Sequence, residues 1–122
     1  MGVPKLESKE SVSPKDYANI LRSLYFSNYL KREFSELALS LMLETDYNSQ
    51  LPKGIPKNIK ISHKIGMSVN GMSFHNCGII YTKEPYILCV MSKNSTQEES
   101  DKIISKISKQ IYDYRLKKIE IS

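Results

Sequence analysis

Between Ile59 and Gly66 the chain alternates without a break. Ile59, Ile61, His63 and Ile65 fall on one side, and Lys60, Ser62, Lys64 and Gly66 on the other. A period of two marks a strand with one apolar face. Two more short apolar runs follow, at 74–81 and 86–91, each reached through a turn-forming segment, Ser68-Val-Asn-Gly-Met-Ser73 and Thr82-Lys-Glu-Pro85. Connections this short force antiparallel pairing. The chain is therefore predicted to hold a three-stranded meander that needs helices to cover it.

The helices have their own signals. Ser13-Pro14-Lys15-Asp16 reads as an N-terminus, with a serine cap, a proline in the first turn and an acid three residues after the cap. Tyr17, Ile20, Leu21, Leu24 and Tyr25 then form one apolar face, and the helix is predicted to end near Phe26-Ser27-Asn28. A second helix is predicted over 31–45, with Phe34, Leu37, Ala38, Leu41 and Met42 inward and Leu39 and Leu43 widening the stripe. Residues 46–56, with two prolines and a glycine, form a loop. The last helix opens at Ser95-Thr96-Gln97-Glu98-Glu99 and turns Ile103, Ile104, Ile107, Ile111 and Tyr114 toward the sheet. Residues 1–12, including Glu7 and Glu10, read as a polar, solvated leader. Residues 116–122 alternate like a strand, and Ile119–Ile121 is expected to fold back onto the edge of the third strand. The class is α+β: two helices, a three-stranded antiparallel sheet and a C-terminal helix packed on it.

At 122 residues, 40% hydrophobic and 25% charged, the chain is one domain or part of one. No run of eighteen apolar residues occurs, and the first residues are too polar for a signal peptide. Met1-Gly2 opens a lipidation pattern that Leu6 breaks. The net charge of +5 is spread along the sequence without interleaved aromatics, so a solvated surface is the reading and nucleic acid is not an expected partner. Cys77 and Cys89 lack metal-ligand spacing, and neither His63 nor His75 has a carboxylate at helical spacing, so no metal site is expected. The cysteines come opposite one another if the second hairpin is centred on Lys83. A cross-strand disulfide is conceivable there, but two buried free thiols are the expected state.

Lys64 is the leading candidate for chemistry. It is a lysine on a strand, two residues from a glycine whose missing side chain lets a ligand lie against the backbone, which suits a carboxylate. Ser68 continues the same edge as a further binding candidate. His63 shares the isoleucine face and reads as a packed, hydrogen-bonded structural histidine. His75 begins the next strand, as a surface residue or as a support for Lys64.

The segment Leu51-Pro-Lys-Gly-Ile-Pro-Lys-Asn-Ile-Lys-Ile-Ser-His-Lys-Ile-Gly-Met67, followed by His75-Asn-Cys-Gly-Ile-Ile-Tyr81 and Tyr86-Ile-Leu-Cys-Val-Met91, resembles the C-terminal part of the class A β-lactamase and penicillin-binding serine hydrolases. In that family a Lys-Thr-Gly strand follows a Leu-Pro turn, and a hairpin and a closing helix come next. The resemblance spans residues 13–112 and is most specific over 51–66. It implies that 13–115 is the C-terminal segment of such a domain, flanked by the leader and by the tail 116–122. It also implies a catalytic and carboxylate-binding role for Lys64, substrate contacts at Gly66 and Ser68, no cofactor, and an extracytoplasmic setting for the parent enzyme.

Two departures from the family pattern matter. The nucleophile of the family lies in a Ser-x-x-Lys motif, and no lysine here has a serine three residues before it. Ser68-Val-Asn70 and Ser92-Lys-Asn94 fit the family's Ser-x-Asn motif but follow the Lys-Gly strand instead of preceding it. Ile65 stands where the family has threonine and cannot offer a hydroxyl to a substrate carboxylate. The expected function is the C-terminal part of a serine hydrolase acting on β-lactam or peptide-like amides, inactive alone. The expected partners are the missing N-terminal part of the domain, or a second copy across the open edge of the third strand. The alternatives are a non-catalytic binding module on the same fold and, less favoured, a small basic nucleic-acid-binding domain.

Overall fold

The computed structural model describes residues 12–121; the leader, with Glu7 and Glu10, lies outside the described residues. Helix α1, Pro14–Tyr25, begins as the sequence predicts. The Asp16 amide donates to Ser13 Oγ at 3.1 Å and the Ser13 amide donates back to Asp16 Oδ2 at 3.2 Å, which satisfies two of the amides left free at a helix start. Helix α2, Arg32–Leu43, is followed by a 3-10 turn, Leu51–Gly54. The strands are β1, Ile61–Met67; β2, Phe74–Ile80; and β3, Tyr86–Ser92. Helix α3, Gln97–Ile121, closes the order.

The sheet is antiparallel in the order β1-β2-β3. Its registers place Ile61 opposite Ile80, Lys64 opposite Cys77 and Gly66 opposite His75, and then Cys77 opposite Cys89 and Ile80 opposite Tyr86. One face carries Ile61, Ile80, Tyr86 and Val90 into a core with Leu51, Ile55 and Ile104. The other carries Cys77 and Ile79 against Leu21, with Tyr17, Leu24, Leu39 and Met42 packed around them. Helix α3 and the 3-10 turn cover the first face, and α1 and α2 cover the second.

The Leu-Pro-Lys-Gly turn is held by close packing on α3. A Cβ on Gly54 would lie 2.5 Å from the Ser105 carbonyl oxygen and 2.6 Å from the Lys109 nitrogen, so only glycine lets the backbones approach this closely. Ser108 Oγ donates to the Leu51 carbonyl at 2.8 Å. Leu51 is thereby sealed in the core.

Several expectations need correction. Phe34, Leu37 and Leu41 are 52%, 56% and 60% exposed, although their spacing pointed inward. Helix α2 is apolar around most of its circumference, and hydrogen bonding selects which side docks. Ser62 Oγ of β1 donates to the Leu39 carbonyl at 2.7 Å, and Thr45 Oγ1 donates to the His63 carbonyl at 2.9 Å. Those bonds bring Ser35, Leu39 and Met42 inward and leave the other stripe outside. On α3, Ile103 and Tyr114 are also exposed, while Ser100, Ile104 and Ser108 line the buried side. The serines face inward because they have partners there: Ser100 shares hydrogen bonds with Ser92 and Ser95, and Ser108 with Leu51.

The tail is helix through Ile121, not a strand. Arg115, Leu116, Lys117 and Lys118 are good helix formers with no glycine or proline to stop propagation. The tail therefore does not cover β3. Finally, Cys77 and Cys89 are joined as a disulfide, not kept as free thiols. The main-chain groups of Cys77 face β1, so Cys77 and Cys89 form the non-hydrogen-bonded kind of cross-strand pair, in which facing side chains lie closest; their Cα atoms are 4.0 Å apart.

Candidate active-site edge

β1 is the outer strand of the sheet, and its free edge is built by the strand's alternation. The carbonyls of His63 and Ile65 point away from β2, one accepting from Thr45 Oγ1 and the other from Lys64 Nζ at 2.8 Å. In an antiparallel pair this outward orientation recurs at every second residue. Met67 accordingly presents its N–H and C=O on the same side. Lys64 is solvent-exposed beside this edge, on the face that carries α1 and α2. A cation next to main-chain groups that face away from the sheet can hold a carboxylate and an amide of one extended molecule.

Gly66 is in a different situation from the one its sequence suggested. A Cβ there would lie 1.9 Å from His75 Cε1 and 2.1 Å from Nε2, so the imidazole already covers the side-chain face of this glycine. The main-chain groups of Gly66 face β2, where the residue pairs with His75, so the outward edge on either side of it belongs to Ile65 and Met67. Ser68 sits in the hairpin connection, where its hydroxyl donates to Asn70 Oδ1 at 2.5 Å and accepts from the Ser73 amide at 3.1 Å. Gly71, with φ +70°, completes that turn.

His75, expected as a surface residue or as a support for Lys64, packs on the strand beside it. Its ring lies against Gly66, and the Tyr17 ring of α1 stands on it at 5.6 Å between centroids. Burial lowers its pKa and the nearby Lys64 charge lowers it further, so the ring is neutral at neutral pH. Neither ring nitrogen makes a hydrogen bond among the described residues. The cue was present in the hairpin: a connection of 68–73 puts Gly66 directly opposite His75. His63 is buried on the α3 face, with Nδ1 3.1 Å from Asn76 Oδ1. Burial holds its pKa down, with the Asn76 contact opposing. It is structural, as its face predicted.

A cavity of about 200 Å³ adjoins the end of this edge, lined by Met67, Ser68, Ser73, Phe74, His75 and Ser92 among others. A larger one, of about 670 Å³, opens between the 3-10 turn and the start of β1, beside Lys53, Lys57, Lys60 and His63. It includes none of Lys64, Gly66 and Ser68. Among the described residues no cluster of histidine, cysteine and acid side chains could hold a metal ion, and no helix is long and apolar enough to cross a membrane.

Comparison with solved structures gives the same architecture. The structure of PBP-A matches with a TM-score of 0.77 at 22% identity, over 87% of this chain and 40% of that one. A β-lactamase from Francisella tularensis matches with a TM-score of 0.76 at 20% identity, over 88% and 43%. An ancestral class A β-lactamase matches with a TM-score of 0.78 at 16% identity, again over 88% and 43%. At these identities the likeness establishes the fold, and this chain spans about two fifths of the proteins it matches. The sequence itself matches the model of the β-lactamase enzyme family over residues 2–115. Matched over nearly its whole length in sequence, and folded as a contiguous part of that domain, the chain belongs to the β-lactamase enzyme family.

Proposed function

We propose that this chain supplies the lysine wall of a β-lactamase-like serine hydrolase site, with the acyl-accepting serine contributed by the remaining part of the domain. The supporting observation is the position of Lys64 beside the outward-facing main chain of Ile65 and Met67, where its Nζ donates to the Ile65 carbonyl. In this reading Lys64 stabilises the serine site electrostatically and binds the substrate carboxylate. The outward-facing main chain of Ile65 and Met67, on either side of Gly66, pairs with the substrate amide, and Ser68 supports its end. The substrate class is a β-lactam or a related peptide-like amide, and the chemistry is acyl transfer to serine followed by hydrolysis.

Incompleteness is supported by the surface. Phe34, Leu37 and Leu41 form an i, i+3, i+7 stripe left open on α2, and the family relatives have more than twice the matched length. The outer edge of β3 is also unpaired among the described residues. Both are surfaces on which the remainder of the domain would dock, and the β3 edge is also where a second copy could pair. A fluorescent penicillin provides the test, applied to this chain and to a form extended by the coding sequence upstream. Labelling of the extended form alone is the expected result. A non-catalytic binding module is the second reading, favoured by Ile65 and by the lack of any Ser-x-x-Lys in these 122 residues; it predicts that neither form is labelled.

A further inference from the structure

The larger cavity, of about 670 Å³, takes no part in the Lys64 edge. Its size lies within the roughly 300–1,000 Å³ of small-molecule sites. The interior is apolar, with Leu43 from the end of α2, Pro52 and Ile55 from the 3-10 turn and its exit, and Ile59 and Ile61 leading into β1. Its walls are fixed by bonds that need no ligand. Ser108 Oγ donates to the Leu51 carbonyl at 2.8 Å and Thr45 Oγ1 to the His63 carbonyl at 2.9 Å. The Ile59 amide donates to the Pro56 carbonyl at 3.1 Å, and the Tyr81 amide to the Lys60 carbonyl at 3.0 Å. Pro52 and Pro56 stiffen the connecting backbone further. A cavity built in advance costs a ligand little to order.

The charge around it has one sign. Lys53, Lys57 and Lys60 line the cavity and are solvent-exposed, and no acidic side chain lines it. The ion pairs of the described residues, Arg32–Glu36, Lys102–Glu98 and Lys109–Asp113, involve none of these lysines. An apolar interior under three ammonium groups matches a molecule of the complementary build, with one hydrocarbon body and one anionic head. A neutral ligand would leave the lysines unused, and a wholly polar anion would leave the isoleucines wet.

We propose that this cavity binds a single-chain anionic amphiphile, its hydrocarbon against Leu43, Ile55, Ile59 and Ile61 and its carboxylate or phosphate among Lys53, Lys57 and Lys60. The lysine methylenes extend the apolar wall while the ammonium groups stay in water. The site is independent of the role proposed for Lys64.

The test uses the 122-residue chain with ¹³C-labelled isoleucine methyl groups. It is titrated with octanoate, octyl phosphate, 1-octanol and octyltrimethylammonium, each below its micelle concentration. Both anions are expected to shift the Ile55, Ile59 and Ile61 methyl resonances saturably. Ile79, packed on Leu21 across the sheet, should stay in place. The anion that binds more tightly identifies the head group, and either order supports the proposal. Lys53→Glu combined with Lys57→Glu should weaken both anions roughly tenfold or more, since each reversal turns an attraction into a repulsion, and leave octanol binding unchanged. Asn48→Trp, at an exposed position on the cavity wall, should fill the space and block every probe. All three positions are exposed, so the fold should tolerate the changes. Unmoved cavity methyls, equal shifts with the cationic probe, or undiminished anion binding by the doubly reversed variant would overturn the proposal.

Discussion

His63 Nδ1 lies 3.1 Å from Asn76 Oδ1, with both side chains buried on the sheet face opposite Lys64. The pair bridges β1 and β2 one register step from the Lys64 and Cys77 pair. A neutral histidine therefore forms part of the platform on which Lys64 stands.

Acid should destabilise the fold. Both histidines have folded pKa values lowered from the ordinary 6.5, His63 by burial and His75 by burial and then Lys64. The unfolded chain thus takes up protons first as pH falls, and stability drops with it. The contribution is fully present above about pH 6.5 and is lost progressively below it, down to the folded-state pKa. Urea unfolding across that range should show a falling midpoint. His63→Gln should flatten the slope.

Gly66→Ala should cost about 1–3 kcal/mol through overpacking, because the new methyl meets the His75 ring. The cost is coupled. In a His75→Ala background the methyl has room, so the same substitution should be nearly neutral, and a double-mutant cycle read by denaturant midpoints measures the difference. Additive costs would mean that the ring does not lie where it is described.

Ser108→Ala removes a buried bond between α3 and the Leu51 carbonyl. The expected loss is about 1–3 kcal/mol. Gly54→Ala should be worse and not rescued by truncating a side chain, since the nearest obstacles are main-chain atoms of α3. Thermal melts of the two variants would rank them.

Leu37→Glu tests the open stripe on α2. Leu37 is 56% exposed, so the stability of this chain alone should change by no more than about 0.5 kcal/mol. Penicillin labelling of the extended form should be lost, because a charge then faces the docking surface. A large loss of stability in the short chain would contradict the described packing of α2.

The disulfide makes a separate prediction. Cys77 and Cys89 enclose a sequence separation of 12, and opening such a loop typically costs about 2–4 kcal/mol. Dithiothreitol should lower the urea midpoint of the wild type and leave that of a Cys77→Ala, Cys89→Ala variant unchanged.

Much of this architecture is legible in the local pattern. Ser13-Pro14-Lys15-Asp16 specifies a helix start through bonds that span three residues, and the structure contains both of them. The alternation across Ile61 to Gly66 separates the two faces of β1, and the short turns dictate an antiparallel meander. These features depend on neighbours in sequence, so sequence alone determined them.

Other features depended on what each element meets. Which side of α2 is buried was decided by Ser62 and Thr45 bonding to specific carbonyls, not by counting apolar residues. Ser100 and Ser108 displaced larger residues from the buried side of α3 because hydroxyl partners waited there. The cysteines closed into a disulfide because the register brought non-hydrogen-bonded positions face to face. Sequence also singled out Lys64 and Gly66. Only the tertiary structure placed His75 over Gly66, since that contact joins strands whose side chains meet only once the ladder has formed.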